Sequence, residues 1–167
     1  MENEGKRSRT VTWADPFELL KAGAGRTGLE LLRDYSEGRL PPPPIAITLG
    51  FNLVDVEEGR AVFEGESAEY LFSPIGFVHG GYAMTLLDSA MGCAIHSTLK
   101  AGDRYTTLEM KTNFVRPITL ETGRVRCEGV VIHRGNTIAT AEGKVTDVNN
   151  GKLLAHGTTT CLIIPAR

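Results

Sequence analysis

From Tyr82 onward the larger apolar side chains fall in adjacent pairs four apart, Tyr82/Ala83, Leu86/Leu87, Ala90/Met91 and Ala94/Ile95. That broad stripe of helical period predicts a long, mostly buried helix reaching about Ser97. On either side the pattern changes to short apolar or alternating runs bounded by turn residues. Residues 45–56 and 60–67 predict two strands joined at Glu57-Glu58-Gly59. Residues 107–115 alternate, with Leu108, Met110, Thr112 and Phe114 on one face and Thr107, Glu109, Lys111 and Asn113 on the other. Residues 124–133, 137–147 and 152–163 predict three more strands, separated by the hairpin signals Arg134-Gly135-Asn136 and Asn149-Asn150-Gly151. Short strands joined by turns pair antiparallel, and the helix between the second and third strands is the one element able to cover the sheet's apolar face. The expected class is α+β.

Ahead of this block the signals are helical. Asp15-Pro16-Phe17-Glu18 supplies a cap, a first-turn proline and a glutamate for a short helix through Lys21. Thr27-Gly28-Leu29-Glu30 repeats the capping box for a second helix ending near Gly38. Gly23 to Gly28 spells a dinucleotide-binding glycine pattern, but it follows a helix and no βαβ unit surrounds it, so it reads as a linker. Pro41 to Pro44 cannot donate backbone hydrogen bonds and favour an extended segment. They divide a helical N-terminal appendage, residues 1–44, from a domain expected over 45–167.

Composition narrows the function classes. A net charge of −2 across 167 residues gives no electrostatic footprint for nucleic acid. No apolar run approaches the roughly 20 residues of a membrane-spanning helix, and the polar first residues show no secretory signal. Cys93, Cys127 and Cys161 are odd in number, widely spaced and set in core elements, so they are expected to be free thiols in a reducing cytoplasm. His96, His133 and His156 lack ligand spacing with carboxylates or cysteines, and no metal is expected.

Two features of the long helix exceed structural need. Gly80 and Gly81 stand in its first turn, although each glycine costs roughly 1 kcal/mol relative to alanine in a helix interior. Asp88 is the only charged side chain between His79 and His96, set among Leu86, Leu87 and Met91. It either reaches a polar partner or does chemistry, or else it points to solvent on the narrow Thr85-Asp88-Gly92 face. The run Ser73-Pro74-Ile75-Gly76-Phe77-Val78-His79-Gly80-Gly81, with Asp88 nine positions after the histidine, resembles the hotdog-fold acyl-CoA thioesterases of the phenylacetate-degradation (PaaI-like) type. The resemblance runs from about Ile45 to Ile164. It implies a hotdog fold, a curved six-stranded antiparallel sheet wrapped around one long central helix.

A helix start with glycines offers unpaired N–H groups and partial positive charge, the makings of an oxyanion hole at Gly80, with Gly81 assisting. Asp88 would then be either general base or nucleophile. His79 is expected to cap the helix or orient the site. On one straight helix His79 and Asp88 lie roughly 13 Å apart along the axis and half a turn around it, so they cannot meet on one carbonyl. A site using both needs two chains, and the resemblance likewise implies a homodimer or homotetramer. It further implies that Ser73 stands where the family has Asn or Gln, that Thr107 (with Thr106 as alternative) orients the attacking water, and that Arg134 and Gly135 in the hairpin turn contact coenzyme A phosphates. Arg116 is a second phosphate candidate, and coenzyme A enters only as part of the substrate, not as a cofactor. The expected activity is hydrolysis of a medium-chain or aromatic acyl-CoA. The alternatives are a non-catalytic acyl-CoA-binding module, which Ser73 favours, and a hotdog dehydratase, whose local pattern differs from Val78-His79-Gly80-Gly81.

Overall fold

In the computed structural model, which describes residues 5–166, helices α1 (Pro16–Ala22), α2 (Gly28–Ser36) and α3 (Pro44–Leu49) precede strands β1 (Phe51–Glu57) and β2 (Arg60–Glu66). Helix α4 (Gly80–His96) follows, then β3 (Arg104–Phe114), β4 (Arg124–Arg134), β5 (Ile138–Asp147) and β6 (Leu153–Ile164). All six strands form one antiparallel sheet in the order β1-β2-β4-β5-β6-β3. Leu86, Leu87, Met91 and Ile95 are fully buried along α4 against Val125 and Val145 of the sheet. The helix lies close because the sheet has no side chains at two central positions. A Cβ on Gly129 would run into the backbone of Ala90 and Met91, and one on Gly143 would come within 2.9 Å of Leu87 Cδ2.

The chain departs from the expected pattern in two places. The first strand begins at Phe51, not at residue 45, because Pro44–Leu49 is a helical turn and a half. Pro44 occupies its first turn, where a missing N–H costs nothing, and Gly50 closes it in the left-handed region (φ 75°), donating to Ala46 O at 2.8 Å. The β-branched Ile45, Ile47 and Thr48 gave this segment its strand-like appearance. The second departure is a bulge at Leu108: β3 pairs Thr107 with Cys161 and then Glu109 with Thr160. One extra residue reverses the alternation, so Thr107 shares the inner face with Met110 and Thr112, while Leu108 is exposed.

Both capped helices expected near the N-terminus are present, α1 with Asp15 accepting from Phe17 N–H and α2 with the reciprocal Thr27–Glu30 box. They pack onto the rest. The Gly28 N–H donates to Leu99 O at 3.1 Å, and Gly28 sits so tightly on the end of α4 that a Cβ there would strike the His96 carbonyl. No described helix is long and apolar enough to cross a membrane.

Candidate active site

The start of α4 is prepared by a tight loop. Ser73 donates from both its N–H (2.7 Å) and its hydroxyl (3.0 Å) to the Phe77 carbonyl, with Gly76 at φ 82° making the turn. The loop delivers His79 to the N-cap of α4. There its Nδ1 accepts from the Gly81 N–H at 2.9 Å, so Nδ1 carries no proton. Gly81 has to be glycine for this contact, since a Cβ would come within 2.9 Å of the same nitrogen. His79 therefore caps the helix, and the Gly81 amide is occupied. Among the described residues nothing accepts from the Gly80 N–H. That one donor stands at the positive end of a seventeen-residue helix.

Gly80 lines a cavity of about 630 Å³, together with Ser73, Phe77, Phe114, Arg116 and Leu154. The edge of the Phe114 ring points at it, 3.0 Å from where a Cβ would stand. Arg116 extends along the rim, donating to Leu153 O at 2.7 Å. Arg134 and Gly135 lie at the far end of β4, outside this cavity, with the Arg134 guanidinium donating to the Gly135 carbonyl. The structure thus separates the two arginines that the sequence offered for phosphate.

Asp88 stands about two turns further along the helix and roughly 80° around its axis from Gly80. Within the single chain it is exposed, not enclosed by Leu86, Leu87 and Met91, which turn inward. Eight residues of helix place it about 12 Å beyond Gly80 along the axis, and it is no part of the cavity wall. The Thr107 hydroxyl donates to its Oδ1 at 3.0 Å. This contact exists because of the Leu108 bulge, and it selects Thr107 over Thr106, which is exposed on the other face. Exposed apolar side chains occur on both elements that carry this contact: Met84, one turn before Asp88 on α4, is 38% exposed, and Leu108 and Phe114 on the edge strand β3 are each 56% exposed.

One neighbour was not foreseen. The Tyr105 ring lies on α4 with its hydroxyl 2.6 Å from where a Cβ on Gly92 would stand, and 5.6 Å (ring centres) from His96. Burial pushes the Tyr105 phenol well above its usual range, and the Cys93 thiol and the Asp88 carboxylate add to the effect. Burial likewise pushes Cys93 up to about 12, again reinforced by Asp88, so Cys93 is a neutral thiol and no nucleophile. The available signal for Tyr105 was Gly92, a third glycine in a helix that has no turn there. All three cysteines are free, and among the described residues no group of three His, Cys, Asp or Glu is placed to hold a metal ion.

Over residues 75–154 the chain matches the family described as the Thioesterase superfamily. It is 29% identical over 100 residues to the 1,4-dihydroxy-2-naphthoyl-CoA hydrolase of Listeria monocytogenes, covering 60% of this chain and 80% of that protein. It is 33% identical over 105 residues, 63% of this chain and 72% of the relative, to a protein of Saccharolobus solfataricus named as a candidate esterase. Among solved structures, a variant of the phenylacetic acid degradation protein PaaI from Thermus thermophilus superposes with a TM-score of 0.65 at 28% identity. That match covers 72% of this chain and 98% of the other.

Proposed function

Since the chain belongs to the thioesterase superfamily and is a thioester hydrolase of the hotdog fold, we propose that it hydrolyses medium-chain or aromatic acyl-CoA esters at a site shared between two subunits. The observation that carries this reading is the division of the site within one chain. The free Gly80 amide opens on a cavity that Asp88 does not reach, while Asp88, held by Thr107, stands exposed outside it. A second copy bringing its Asp88 to the Gly80 cavity completes the constellation in both directions, as a two-fold dimer does. The edge strand β3, with Leu108 and Phe114 uncovered beside it, supplies the apolar face such a dimer buries.

In that site the thioester carbonyl oxygen accepts from the Gly80 N–H, and the negative charge that develops on it is met by the helix start. Removing one such donor typically costs about 3–4 kcal/mol of transition-state stabilisation. The partner's carboxylate either takes a proton from water as the water oxygen attacks the carbonyl carbon, or attacks that carbon itself to give an anhydride that water then opens. In both routes the carbon–sulfur bond breaks and coenzyme A leaves as the thiol. Thr107 keeps Oδ1 of the carboxylate oriented. Arg116, on the cavity rim, suits a phosphate or the pantetheine arm, and Arg134 suits a nucleotide that leaves the cavity along the hairpin. The Listeria relative's aromatic acyl-CoA substrate agrees with the class proposed.

Thiol release from a panel of acetyl-, octanoyl- and phenylacetyl-CoA tests the reading. Turnover is expected on the longer and aromatic esters, and a protein that binds them without releasing thiol is an acyl-CoA-binding module instead.

A further inference from the structure

A second void lies beyond Asp88. It measures about 240 Å³ and is a partly open cleft between the N-terminal appendage, the first hairpin and α4, with Leu31, Leu32, Tyr35, Ala46, Phe63 and Cys93 among its walls. Its lining is mostly aliphatic and aromatic, the character of a site for an apolar fragment. Its position follows from helix geometry. Cys93 is five residues past Asp88, about 7.5 Å further along α4 and roughly 140° around it, so the wall begins beyond Asp88 on the neighbouring flank of the helix. The effect of the Asp88 charge on the Cys93 thiol agrees with that proximity. The roof is fixed in place by the seating of Gly28 on the His96 carbonyl and by the Gly28–Leu99 hydrogen bond.

We propose that this void is the acyl chamber: the apolar tail of the substrate enters it in the subunit that contributes Asp88, and the helical appendage sets the length and shape it accepts. The inference rests on the thioesterase reading, and it names the part of the ligand each cavity takes. At about 240 Å³ the chamber falls below the range of about 300–1,000 Å³ usual for whole ligands, which suits one fragment of a substrate. The 630 Å³ cavity at Gly80 is large enough for the thioester and the adjoining arm. An acetyl group ends beside Asp88 and never reaches Cys93. A medium chain or a ring does reach it, and is buried among aliphatic and aromatic side chains. Leu31, Tyr35, Pro43 and His96 also wall a second open cleft under α1, which adjoins the chamber.

Two filling variants of the full-length protein test this, Cys93→Phe from the helix side and Leu31→Trp from the half-buried roof, each checked for native circular dichroism. Thiol release is measured on acetyl-CoA and octanoyl-CoA, and calorimetry compares the non-hydrolysable thioethers S-methyl-CoA and S-octyl-CoA. Both variants are expected to lose about tenfold or more on the octanoyl and octyl ligands, the worth of a few buried methylenes, and to stay within about twofold on the short ones. Equal changes at both lengths in the folded variants, or no change at either, overturn the chamber. If the wild type binds the octyl thioether far more tightly than the methyl one and the variants abolish that difference, the chamber holds even with no thiol released. In that case the hydrolase reading alone fails.

Discussion

His79, Gly80 and Gly81 divide the amides of one helix start between structure and chemistry. The imidazole takes the Gly81 N–H as its capping partner, which leaves the Gly80 N–H free to serve as the donor in the proposed mechanism. The run of glycines after a histidine was legible in the sequence, but which amide stays free was not, because that depends on the rotation of the His79 ring. Asp88 stood out by the same reading, as the lone charge on an apolar helix, whereas its link to Thr107 did not. Asp88→Asn is expected to lower kcat by about 10²–10⁴-fold while the thioether ligands still bind. Turnover at the wild-type rate in that variant removes Asp88 from the mechanism. Thr107→Val, losing one hydrogen bond to the carboxylate, is expected to reduce kcat by about tenfold with KM little changed, and Thr107→Ser to restore it.

At the scale of elements, close packing decides more than propensity. Helix α4 rests on Gly129 and Gly143, and a side chain at Gly129 has backbone, not a flexible tip, in its way. Gly129→Val is therefore expected to destabilise the fold by at least about 1–3 kcal/mol, seen as a fall of several degrees or more in Tm. An unchanged Tm would mean that the helix rides higher than described. Of the two errors of sequence reading, one was a local conflict and the other came from a distant pairing. Residues 45–49 carry β-branched side chains but are helical, because Pro44 starts and Gly50 stops the turn. Strand β3 carries a regular alternation on paper, and the bulge that breaks it is set by pairing with β6, a strand distant along the chain. No neighbour in the sequence records that pairing.

For the whole molecule, the two halves of the proposed site, Gly80 and Asp88, lie about 12 Å apart on a rigid helix. Mixing inactive Asp88→Asn subunits with inactive Gly80→Pro subunits is expected to restore a fraction of the wild-type activity, since one site of each mixed dimer has both groups intact. Proline is tolerated at a first helical position and removes only the N–H, at the cost of pressing on the ring edge of Phe114. Exchange of subunits without any return of activity would argue for a site within one chain. By itself the sequence determined the sheet and its central helix, because periodicity is written into consecutive residues. It also singled out the helix start and Asp88 as candidates for chemistry, where costly residue types break an otherwise apolar stripe. Tertiary structure alone decided that Thr107 meets Asp88, that Tyr105 lies over Gly92, and that the appendage roofs a void beside Cys93. Those contacts join segments that share no local pattern, and only the folded chain brings them within reach.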